Sequence, residues 1–221
     1  MMAVKISRPR GSSNSDCRIA SVAFQGRSRL PANRVEFVMT ALAQPRMTVD
    51  EFLAWAEGQP GRYELDGGVV LAMSPEGAGH AKVKFRVQAA LVAGIRTRGL
   101  PCHMLPDGMT VRIENVTAYE PDALVYCGPE LKPSAVEVPN PVIVVEVLSP
   151  GTRHIDLSKK LTGYFRVPSV VHYLIVDPLK PSIVHHARAT GDTILTRIVT
   201  AGSITLDPPG LELALADVYA A

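Results

Sequence analysis

The chain has 221 residues, 47% of them hydrophobic and 20% charged, with a formal net charge of +2. That is enough apolar chain for one domain with a substantial core, and it excludes a disordered or low-complexity protein. No apolar run approaches the roughly 20 residues of a membrane span, and the first residues lack the apolar block of a secretory signal, so we expect a soluble, cytoplasmic protein without a membrane partner.

In chain order, residues 1–46 carry eight Lys/Arg against only Asp16 and Glu36, while the rest of the chain has 15 basic against 19 acidic residues. The tail has the composition of a disordered extension or an organelle transit peptide. It also fits a start codon set too far upstream, the reading we favour, because Met39 and Met47 both precede the first credible element. The domain is expected to span residues 47–221. Its acidic balance argues against a strongly basic nucleic-acid binder, although a local basic patch is compatible with it.

Thr48 followed by Glu51 is a capping box that opens a short helix through Trp55. Asp66-Gly67 between two extended runs predicts a hairpin, with Glu64 just before its turn. From Gly77 to Arg98, apolar residues at helical spacing (Val83, Val87, Leu91, Ile95) predict the main amphipathic helix, stopped by Gly99. His80 at its start reads as a surface or cap residue, and Lys82, Lys84, Arg86, Arg96 and Arg98 as a solvated face.

Cys102–Leu105 and Met109–Ile113 read as a strand pair around Pro106-Asp107-Gly108. The next strand runs from Tyr119 to Tyr126, with Asp122 directly after Pro121 where extended backbone enters a sheet. Pro141–Leu148 is apolar enough to be a strand buried on both faces, which makes Glu146 costly there unless it is paired, metal-bound or neutralised. A helix over His154–Phe165 follows and aligns Asp156, Lys160 and Tyr164 on one face. In that helix Asp156 suits an N-cap and Tyr164 a core position with a satisfied hydroxyl.

Val171–Pro178 is a further strand, Ser182–Arg188 and Thr193–Thr200 an antiparallel pair, and Leu211–Tyr219 a closing helix. His185 and His186 point to opposite faces of a strand and cannot jointly hold a metal. Cys17, Cys102 and Cys127 are odd in number without CxxC spacing, so we expect inert thiols. The element order predicts an α/β domain with a mixed sheet.

Two carboxylates on neighbouring strands with a nearby lysine suit metal-assisted phosphodiester hydrolysis, in which Mg²⁺ takes hard oxygen ligands and activates water. Pro121-Asp122 and the later Glu146 resemble the PD-(D/E)XK nuclease superfamily, with one departure: Leu148 stands where that pattern has lysine. The chain is more closely similar to the bacterial Uma-two endonuclease-like family. The resemblance rests on Tyr63-Glu64-Leu65-Asp66-Gly67, Met73-Ser74-Pro75, His80, Pro121-Asp122, Val145-Glu146-Val147-Leu148-Ser149-Pro150, Asp156, Lys160-Leu161, Tyr164 and Tyr173–Pro178.

That resemblance implies a restriction-endonuclease-like fold, a mixed central sheet flanked by helices with additional antiparallel strands. It further implies Asp122 and Glu146 as ligands of Mg²⁺ or Mn²⁺, Lys160 as a catalytic lysine displaced onto the following helix, and Glu64 as an auxiliary acid. The expected activity is a DNA endonuclease, for which a homodimer would provide two sites for two strands. A non-catalytic module of the same fold, binding nucleic acid or a partner protein, is the alternative reading. A metal-dependent hydrolase of some other substrate is the third.

Overall fold

The computed structural model describes residues 46–149 and 156–219, and the side chains of 156 and 157 are not among what it describes. The expectations for the N-terminal tail, for Cys17 and for an N-cap at Asp156 lie outside this description.

Helix α1 (Val49–Ala56) begins as the sequence predicts: the Thr48 hydroxyl accepts from Glu51 N–H, and the Glu51 carboxylate accepts from Thr48 N–H in return. The hairpin of β1 (Tyr63–Asp66) and β2 (Val69–Ala72) turns on Gly67 and Gly68, both at positive φ, where a side chain would be strained. After α2 (Ala78–Arg98) come β3 (Cys102–Pro106), β4 (Val111–Glu114), β5 (Thr117–Tyr119), β6 (Ala123–Cys127) and β7 (Pro141–Val147). Helix α3 (Asp156–Arg166) leads to β8 (His172–Val176), β9 (Ile183–Arg188), β10 (Ile194–Val199), β11 (Ser203–Leu206), β12 (Leu211–Ala214) and α4 (Leu215–Tyr219).

The central sheet has the order β10-β9-β8-β7-β6-β3, and its one parallel pair, β7 with β8, is joined through α3. A second sheet, β2-β1-β5-β4, is covered by α1 through Val49, Phe52, Leu65 and Ala118. On one face of the central sheet, Val83, Val87, Leu91 and Ile95 of α2 pack on Ala123, Val125, Val145 and Leu174. On the other, Tyr164 and Val167 meet Leu124, Val144, Tyr173 and Ile175. Strand β7 is therefore packed on both sides, as its apolar run Val142–Val145 requires.

Four expectations are corrected. Residues 119–126 are not one strand: Tyr119 ends β5 in the second sheet, and β6 begins only at Ala123 in the central one. Residues 102–105 and 109–113 do not pair: β3 joins β6 over its whole length, whereas β4 joins β5 in the other sheet. The Pro106-Asp107-Gly108 link is a crossing between sheets, and Asp107 is drawn into ion pairs with Arg62 and Lys84. Residues 211–219 are not one helix. Leu211 and Leu213 alternate inward and pair as a strand with Ser203–Leu206, so period two prevails before α4 begins. Cys102 and Cys127 are not free thiols: they face each other in the β3–β6 register and form a disulfide.

Candidate active site

Glu146 lies near the end of β7 with its side chain toward α3, the layer to which Val144 also belongs. The β6–β7 ladder ends at Ala123↔Val145, so Asp122 stands one step beyond it, next to Glu146. Having left the ladder, Asp122 satisfies the backbone there with its side chain, and Val147 N–H donates to its Oδ2 at 2.7 Å.

Two ionic clusters meet at this strand end. On the α3 side, Lys160 is 5% exposed and donates to Glu64 Oε1 at 2.9 Å and Glu146 Oε1 at 3.0 Å. Tyr164 donates its hydroxyl to the same Glu146 oxygen at 2.7 Å, and Glu64 Oε1 also accepts from Glu120 N–H. The Lys160 ammonium lies 5.6 Å from the Tyr119 ring centre. A Cβ at Gly163 would come within 2.7 Å of that ring, so glycine is what lets α3 approach this closely. Lys159, pointing elsewhere on the helix, is 60% exposed and pairs with Asp66.

On the α2 side, Lys84 is buried and pairs with Glu76, with Asp107 at 3.0 Å and, more loosely, with Asp122 at 3.8 Å. Arg62 joins Asp107, Glu76 and Glu120. His80 is also inside. Its Nε2 lies 2.8 Å from the Val147 carbonyl, which accepts the Nε2 hydrogen. Nδ1 is buried without a hydrogen bond, 3.4 Å from Glu76 Oε2.

Counting both clusters, among the described residues six carboxylates (Glu64, Glu76, Asp107, Glu120, Asp122, Glu146) gather around three permanent cations (Arg62, Lys84, Lys160). Three of these acids have raised proton affinity, chiefly because they are buried. Burial pushes the Glu64 carboxyl up to about 7, with Lys160 opposing and Glu146 adding to the shift. Burial likewise raises Asp122 and Glu146. Acids whose proton affinity is raised by burial would release those protons to a divalent cation, which supplies positive charge among them. The donor set therefore fits a hard or borderline metal. Glu76, His80 and Asp122 offer ligand atoms within 4.8 Å of one another.

Of the residues singled out by sequence, Glu64, Glu146, Lys160 and Tyr164 come together and Asp122 adjoins them. His80 and Lys84 correct the reading of a surface histidine and a solvated lysine. Glu76, Asp107 and Arg62 were not anticipated, although the i, i+4 spacing of Glu76 and His80 is a signal that was present. His185 and His186 lie away from the site, bonded to His172 and Thr196 respectively.

The family described as "Putative restriction endonuclease", Uma2, matches residues 49–217. An uncharacterized protein of Synechocystis sp. is 27% identical over 177 residues, covering 79% of this chain and 92% of that one. A crystal structure from Anabaena variabilis, described as a putative nuclease belonging to DUF820, superposes with a TM-score of 0.62 at 14% identity. It covers 78% of this chain and 97% of its own, and at that identity it speaks for the fold alone. With a match that runs from the first turn of α1 into α4, the chain belongs to the Uma2 family.

Proposed function

We propose that the chain is a metal-dependent endonuclease that hydrolyses phosphodiester bonds of DNA in the cytoplasm. The observation that carries this reading is Lys160. Leu148 leaves the strand without the lysine that the nuclease pattern places two residues after the second acid, and Lys160 brings an ammonium to Glu146 from the next helix, within 3.0 Å. Asp122 and Glu146 would hold Mg²⁺, or Mn²⁺ in its place. Among the described residues, Lys160 and Tyr164 donate to Glu146 Oε1, and Oε2 is its candidate ligand atom. The ion, when bound, lowers the pKa of water and offsets charge on the phosphate.

The chain's own groups have separate tasks in this reading. Lys160 presents a fixed positive charge at the strand end, where it orients water or stabilises the developing phosphorane charge. Tyr164 and Glu64 hold Lys160 and Glu146 in register, and Glu64, with a pKa near neutrality, is able to take up or release a proton.

A second ligand set has its own support. The bare Nδ1 of His80 beside Glu76, with Asp122 as third ligand, favours a cation on the α2 side. A nitrogen ligand suits Mn²⁺ better than Mg²⁺.

The test is single-turnover cleavage of labelled DNA with Mg²⁺ or Mn²⁺, alongside calorimetric titration of the metal. Asp122→Asn and Glu146→Gln are expected to lose both cleavage and metal binding. Metal-independent or unaltered cleavage would refute the reading, and DNA binding without cleavage under any metal would favour the non-catalytic module.

A further inference from the structure

Helix α2 carries Lys82, Lys84, Arg86, Arg96 and Arg98 and not one Asp or Glu along its 21 residues, in a domain whose remaining charge is net acidic. Lys84 is engaged with Glu76 and Asp107 inside the site, while Lys82, Arg96 and Arg98 are exposed. Immediately after Lys84 stands Phe85, 69% exposed. It heads a groove of about 430 Å³, lined by Phe85, Gln88, Ala89, Val92 and Arg96 of α2 and by Met104 of the edge strand β3. The α2 members follow i, i+3, i+4, i+7 and i+11 spacing, so they form one continuous stripe of the helix.

The groove adjoins the candidate active site. Gln88 donates from the groove to the Asp122 carbonyl at 2.8 Å. Pro106, also in its lining, precedes Asp107 of the ion cluster.

We propose that this groove takes an unpaired nucleic-acid strand running to or from the candidate active site, with a base stacked on Phe85 and a phosphate on Arg96; the proposal rests on the nuclease reading above. Charge complementarity selects the occupant. A helix with cations and no acids attracts a polyanion, and an apolar floor with an exposed ring fits the faces of bases. Those faces are available only where the strand is unpaired, because a duplex keeps its bases stacked inside. From Phe85 to Arg96 the helix rises about 17 Å, room for about five nucleotides at the roughly 3.4 Å spacing of a stacked strand.

The test is equilibrium binding of a single-stranded oligonucleotide containing 2-aminopurine, measured by fluorescence with the full chain in EDTA. Wild type is compared with Phe85→Ala, Phe85→Trp and Arg96→Ala, and with a duplex of the same sequence. Phe85→Ala is expected to weaken binding by about tenfold or more and to abolish the stacking quench, whereas Phe85→Trp keeps both. Arg96→Ala should reduce the salt dependence of binding by about one phosphate contact, and the duplex should bind more weakly than the single strand.

Phe85 is exposed, so its alanine variant should melt with the wild type. If wild type binds and cleaves while Phe85→Ala binds with the same affinity and quench, the groove proposal falls and the nuclease reading stands. If no form binds nucleic acid, both fall. If Phe85→Ala instead turns a sedimenting dimer into a monomer with binding unchanged, the groove belongs to a second copy and the proposal is overturned.

Discussion

Lys160 and Lys159 are adjacent in sequence and opposite in consequence. Lys160→Met keeps the aliphatic stem and removes the ammonium that lies between Glu64 and Glu146. Breaking a buried pair in this way costs about 3–5 kcal/mol. For a domain of this size roughly 2–4 °C accompany each kcal/mol, so the Tm should fall by about 6–20 °C in EDTA at pH 8. Lys159→Met removes an exposed pair with Asp66, worth no more than about 1 kcal/mol.

The loss at Lys160 should depend on pH with a definite sign. A carboxyl whose folded pKa stands above its unfolded value contributes stability that is fully present at low pH and is lost as pH rises through the folded value. For Glu64 in the wild type that window runs from 4.5 to about 7. Without Lys160 the carboxyl is raised further, so the defect should shrink at pH 5.5 and widen at pH 8. Lys160→Met combined with Glu146→Gln should recover part of the loss by removing one of the stranded charges. In single-turnover cleavage at saturating metal, Lys160→Met should slow the reaction on the order of 10²-fold. Equal melting curves and equal rates for the two lysine variants would refute this reasoning.

Asp122→Asn and Glu146→Gln should abolish cleavage while holding or raising the Tm in EDTA, because each removes a buried like charge; thermal melts of the same preparations used for cleavage check both halves. His80→Ala should weaken Mn²⁺ binding by about 10- to 100-fold if Nδ1 is a ligand, and calorimetry giving the wild-type affinity would exclude it. Away from the site, His172 and His185 are buried side by side, with Arg197 and His186 near His185 and Asp207 near His172. Burial lowers both, His185 to about 4. Their contribution is therefore present above pH 6.5 and lost as pH falls toward 4, so His185→Gln should flatten the acid limb of a urea denaturation series.

Secondary structure was legible wherever local chemistry decides it. The Thr48 capping box and the Gly99 stop each fix backbone within a few residues and the structure follows them, and the hairpin read from Asp66-Gly67 forms with its turn one residue later, at Gly67-Gly68. Pairing over a distance was not legible. Nothing local distinguishes Cys102 and Cys127 as partners until β3 lies on β6, and nothing in Pro106-Asp107-Gly108 says that the chain leaves one sheet for another. At Leu211–Tyr219 two periods overlap: Leu211, Leu215 and Val218 satisfy a helix, whereas Leu211, Leu213 and Leu215 satisfy a strand. The choice fell to β11, whose edge takes β12 by hydrogen bonds.

The same division runs through the site. Glu146 declared itself because an acid in an apolar strand is expensive, and Asp122 because a proline fixed its place at a strand entrance. His80, Lys84, Glu76, Asp107 and Arg62 sit in segments where charge is ordinary, a helix start, a loop and a hairpin edge. Each becomes costly only once α2 closes on Val147 and Asp122. Both layers of the domain thus place charge at one end of β7, lysines included, yet among the described residues acids exceed the permanent cations there. A cluster built only for stability would do better with apolar residues of the same volume. Bound protons or a bound metal would relieve an acid excess shared by two layers. That makes the strand end, rather than either cluster alone, the unit on which substitution and metal titration should act together.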